Sequence, residues 1–158
     1  MIQRIQSVYL FITSALLLFA TLSENWFTFI NDSKIAVFNA TGVDVLDVKT
    51  NTIQEHTSYP FYIITVLLFV LSLATLFSYK KIKIQLKIGR LNFVLYLLAI
   101  IGLTVIAMAG NSLVSGEFGS RELGLGYFAL LIGFPLVFMA NLGIKRDKKL
   151  VDSLNRIR

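Results

Sequence analysis

Residues 59–79 read YPFYIITVLLFVLSLATLFSY, with no Asp, Glu, Lys, Arg or His among them. At a rise of about 1.5 Å per residue, some 20 such residues cross the ~30 Å hydrocarbon core of a bilayer. Backbone amides cannot stay unpaired in lipid, so a segment of this length and character must be helical. Working outward, residues 5–22, 91–110 and 123–144 are equally free of charge and mostly apolar. The reading is an all-α membrane protein. It has four transmembrane helices in a bundle, at about 5–22, 59–79, 91–110 and 123–144, making one membrane domain over residues 1–158.

Composition agrees with that frame. Hydrophobic residues make up 56% of the 158, and charged residues only 15%, against about 25% in soluble domains. The absence of cysteine removes disulfides, thiolate metal sites and thiol redox chemistry. A formal charge of +6 could suggest nucleic acid, but its placement speaks for topology instead. Arg4, the cluster Lys80, Lys81, Lys83, Lys87 and Arg90, and the tail cations Lys145, Arg146, Lys148, Lys149, Arg156 and Arg158 fall on one side of the four spans. Only Lys34, Lys49 and Arg121 fall on the other. Most acids lie with this second group. The positive-inside rule then puts both termini and a basic loop, 80–90, in the cytoplasm, against anionic headgroups. No nucleic-acid partner is expected.

Opposite the basic face lies the periplasmic loop 23–57. Trp26 to Ile30, Lys34 to Ala40 and Val43 to Lys49 are rich in aromatic and β-branched residues, and Asn31-Asp32-Ser33 and Thr41-Gly42 separate them as turns. A small antiparallel element of three or four strands is predicted, lying on the helix ends, in a claudin-like layout without the cysteine pair of true claudins. Trp26 and Phe27 fall at interface depth, where they serve either an aromatic belt or a partner-docking surface. Asn31-Asp32-Ser33 and Asn39-Ala40-Thr41 match the N-glycosylation tripeptide, a pattern common by chance that carries weight only in a protein of eukaryotic origin.

Within the spans no ionisable residue appears, so the usual mark of a proton relay, ion path or buried ligand is missing. Ser72, Thr75 and Ser78 repeat along one side of span two, and Ala129 and Gly133 have small-xxx-small spacing in span four. Both read as helix packing. Pro135 is expected to bend span four. The glycines Gly116, Gly119, Gly124 and Gly126 precede or open that span; they read as a turn and close packing, or as the mouth of an apolar cavity. His56 is the single histidine, read as solvated. No catalytic pair, metal constellation or haem ligand pair can be assembled, so the expectation is a protein without catalytic, cofactor or metal residues. An enzyme reading would rest on Asp44, Asp47 and Glu55 alone, which fit better as the wet face of the sheet.

On the basic side, residues 81–88 alternate polar and apolar. A strand there would be an unpaired edge, so an early start of the third helix is the better reading. The tail, 145–158, forms a basic amphipathic helix with Leu150, Val151, Leu154 and Ile157 on one face, lying on lipid or docking on a protein. The opening Met1-Ile2-Gln3-Arg4-Ile5-Gln6, the run Gln85 to Asn92 and the closing Lys149-Leu150-Val151-Asp152-Ser153 to Arg158 resemble an uncharacterised group of four-span inner-membrane proteins, a domain of unknown function, from Bacteroidetes-type bacteria. That resemblance implies a bacterial inner membrane and a docking surface on the cytoplasmic side. Candidate docking residues are Arg4, Gln85, Arg90, Asn92, Leu150, Leu154 and Arg156, with Trp26 and Phe27 outside. The function expected is a non-enzymatic accessory or scaffold subunit with membrane-protein partners. The alternative is a lipid or small-molecule carrier with an apolar cavity in the bundle.

Overall fold

The computed structural model describes residues 5–31, 33–48, 50, 52–113 and 120–156. Four helices, α1 (Ile5–Leu22), α2 (Tyr62–Phe77), α3 (Ile82–Leu113) and α4 (Leu125–Arg156), are each long and apolar enough to cross a membrane, α2 together with the short 3-10 turn Ser78–Lys80 that ends it. They stand in a ring in which α1 touches α2 and α4, and α3 touches α2 and α4. Their outward faces carry large bare side chains such as Phe11 (65% exposed), Leu98 (58%) and Ile132 (57%). Such a surface suits hydrocarbon and would be costly in water.

Inward faces are narrower and more varied. Leu17 and Ala20 of α1, Leu130 and Val137 of α4, Leu68 of α2 and Tyr96 and Leu103 of α3 belong to one buried cluster, and Leu10 and Ala140 are buried as well. Glycines set how closely the helices approach. At Gly133 of α4 a Cβ would sit 2.2 Å from the Tyr96 hydroxyl, which donates to the Leu130 carbonyl at 3.1 Å. At Gly143 a Cβ would lie 3.0 Å from Oε1 of Gln6. α4 runs through Pro135 as one helix.

One end of the bundle is covered by a sheet larger than predicted. The strands β1 (Phe27–Ile30), β2 (Lys34–Phe38), β3 (Gly42–Asp47) and β4 (Ile53–Ser58) form the expected antiparallel meander. A fifth, β5 (Ser120–Leu123), comes from the second loop and pairs with β1, giving the order β4-β3-β2-β1-β5. The description of an all-α protein with a β element confined to the first loop is corrected accordingly. β5 was not legible because Ser-Arg-Glu-Leu has no apolar alternation; it exists because β1 offers an open edge of amides and carbonyls. Phe27 and Phe29 of β1, Ala36 and Phe38 of β2, and Val43 and Val45 of β3 are buried in alternation, the pattern of a sheet with one face on the core.

At the other end, residues 80–90 are no loop. The chain turns at Ser78–Lys81 and α3 begins at Ile82, as the helical reading of 81–88 required. The tail is likewise no separate helix: residues 145–156 are the last turns of α4. Nothing between Ile144 and Arg156 is a glycine or proline, so nothing stops the helix.

Candidate functional site

The sheet is joined to the bundle at Asn25 and Trp26. The indole Nε1 donates to the Ala20 carbonyl at 2.7 Å, capping the last turn of α1, while the backbone of Trp26 donates to Phe38 and accepts from Gly124. Gly126 is required here, since its Cβ would fall 2.2 Å from Trp26 Cδ1. Phe27 packs its ring 4.8 Å from that of Tyr127. Trp26 and Phe27 are 1% and 2% exposed, so neither lies on a surface belt or in a docking face of the folded chain. Interface depth along the sequence does not say whether a ring faces out or in, and here the sheet covers both.

Acids of the sheet are engaged across strands. Asp44 holds His56 Nδ1 at 2.5 Å and Asn39 Nδ2 at 2.8 Å, and Asp47 accepts from Gln54 at 3.0 Å. His56 is therefore half exposed yet partnered. Asn39 also caps its own turn, accepting from the backbone amides of Thr41 and Gly42. Gly42 has φ +157, and a Cβ there would meet the Thr57 carbonyl at 2.3 Å. Below the sheet, Trp26, Phe61, Leu68, Tyr96, Leu103 and Leu130 surround a cavity of about 10 Å³. Among the described residues no group of three or more His, Cys, Asp or Glu comes together.

The side-chain amides of the bundle's interior, Gln6, Gln85, Asn92 and Asn141, gather near the other end. On α3, Gln85, Gly89, Asn92 and Tyr96 are spaced three or four apart and lie on one buried face. Asn92 donates to the Ser72 hydroxyl of α2 at 2.9 Å. Asn141 of α4 donates to the carbonyl of Gly89 at 3.0 Å, and a Cβ on Gly89 would fall 2.6 Å from Asn141 Oδ1 and 3.4 Å from Thr75 Cγ2. Gln6 of α1, 2% exposed, donates to Asp147 of α4 at 3.0 Å. Both amide atoms of Gln85, Oδ1 of Asn92 and Oδ1 of Asn141 are buried with no hydrogen-bond partner.

Gln85 and Asn92, predicted at a docking surface, are thus wholly inside, each at 0% exposure. The run from Gln85 to Asn92 that suggested a surface motif is in part an interior one. Arg90 and Leu150 are exposed as expected. Leu154 and Arg156 fall within α4, but their side chains, like the whole of Arg4, lie outside the described residues. Gln6 and Asn141 were missed, although each carried a signal. Gln6 shares a helical face with Leu10, Thr13 and Leu17, and Asn141 follows Val137 by one turn.

No curated protein resembles this chain closely enough to count as a relative. A family profile does match, over residues 2–157. It covers the sheet and all four helices, so the chain belongs to the family described as a domain of unknown function (DUF4293).

Proposed function

We propose that this protein is a multi-pass component of a bacterial inner membrane, with both termini cytoplasmic, acting as a non-enzymatic accessory or scaffold subunit of a larger membrane complex. The observation that carries the reading is the filled centre beneath the sheet. A cavity of about 10 Å³ admits roughly one water molecule and no lipid tail or metabolite, and the larger hollows, of about 240, 420 and 500 Å³, are open clefts, which weighs against a carrier that encloses its cargo beneath the sheet. What the chain presents is therefore its outside. The last turns of α4 continue past Gln6, the first described inward residue of α1, with Leu150 and Val151 exposed beside Lys148 and Lys149. The cations Lys81, Lys83, Lys87 and Arg90 of the adjoining α3 end add a basic rim suited to anionic headgroups.

The experiment is purification of the tagged full chain in mild detergent, followed by mass spectrometry of what accompanies it. A partner in stoichiometric amount is expected, and Leu150→Asp should release it while the chain still folds. Recovery of the chain alone, as monomer or homo-oligomer, overturns the reading.

A further inference from the structure

We infer that the amide seam between α2, α3 and α4 is a binding site for ordered water, held inside the half of the bundle remote from the sheet. Its unmet groups define the ligand. Three carbonyl oxygens, from Gln85, Asn92 and Asn141, seek donors, and the amide nitrogen of Gln85 seeks an acceptor. Buried amides in folded proteins are matched, by protein or by water, because an unmatched one carries its full desolvation cost. The matching group must both donate and accept, must be small, and must be neutral; water is the molecule that does this with up to four bonds.

Placement makes the seam reachable and continuous. Gln85 lies one turn inside the start of α3 at Ile82, close to the aqueous end. Asn92 is two turns deeper, about 10 Å along the axis at 1.5 Å per residue, too far for the two amides to pair directly. Between them Gly89 brings bare backbone against Asn141 and Thr75; its carbonyl holds the Asn141 amide nitrogen, which leaves Asn141 Oδ1 beside it without a donor. A monovalent cation would satisfy the oxygens but leave the Gln85 nitrogen without an acceptor. It would also bring a charge into low dielectric, at a cost that neutral oxygens only partly repay. This inference does not depend on any partner, and its readout is separate from co-purification.

Water-edited solid-state NMR on the full chain in lipid nanodiscs tests it, following the side-chain amide signals of Gln85, Asn92 and Asn141. Transfer from water to all three is expected, with the methyls of Leu17 and Leu68 as the dry reference. In Gln85→Leu the transfer to Asn92 should be lost or strongly reduced. Amide signals as dry as those methyls overturn the proposal, as does a shift that follows added sodium or potassium. If the variant fails to fold, the wild-type comparison still decides.

Discussion

Gly126 and Gly102 are both helical glycines, yet only one is indispensable. A methyl at Gly126 would strike Trp26 at 2.2 Å, in a ring held by its hydrogen bond to Ala20 and packed against Phe61. Gly102 has nothing within 4 Å. Gly126→Ala is therefore expected to lower stability by about 1–3 kcal/mol, the usual range for overpacking, whereas Gly102→Ala should be neutral or stabilising by up to about 1 kcal/mol from helix propensity. Thermal melts of the two variants in one detergent make the comparison; equal melting points would contradict the packing account. Trp26→Phe keeps much of the apolar bulk but removes the bond to Ala20, and should cost on the order of 1–3 kcal/mol because a buried carbonyl loses its donor. The sequence showed Trp26 as a large aromatic beside a span but held no sign of which way it faced. That depends on Gly124 and Gly126, about a hundred residues later in the chain.

Helices were legible and strands only partly so, for a physical reason. A span needs about 20 uncharged residues in a row, a requirement local enough to read from YPFYIITVLLFVLSLATLFSY alone. β1 to β3 announced themselves through aromatic and β-branched runs and through Thr41-Gly42, since turn and strand chemistry is also local, whereas β4 (Ile53–Ser58) lay outside those runs and entered only as the open place in a count of three or four strands. β5 did not, because a strand of four residues takes its stability from the neighbour it pairs with. The cross-loop pairing can be tested with engineered thiols, as the chain has no cysteine of its own. Thr28→Cys with Glu122→Cys places thiols on directly opposed residues. Mild oxidation should link them, with the linked peptides found by mass spectrometry, whereas Thr28→Cys with Gln54→Cys, on a strand three places away across the sheet, should stay open. A link in the second pair and none in the first would refute the strand order. The docking residues were legible only as a motif: periodicity puts Gln85 and Asn92 on one face of α3, but it does not say whether that face meets lipid, water or α4.

At the scale of the whole molecule, the arrangement divides into an aromatic, sheet-covered half and an amide-lined half. In the proposed orientation the second half is cytoplasmic. Thiols introduced at Glu24, next to the sheet, and at Lys81, at the turn before α3, should then be labelled from opposite sides of intact inverted vesicles. Labelling of both from one side would remove the basis for the topology. One consequence reaches into biogenesis. The outer strand β1 is made early, directly after the first helix, but the strand that closes its edge is not synthesised until the third helix has been threaded. In the proposed orientation the nascent four-stranded meander waits on the far side of the bilayer with that edge open. Truncation after α2 should leave the edge accessible to chaperones and proteases, so the short strand β5, delivered between the third and fourth helices, serves as the latch that completes the sheet.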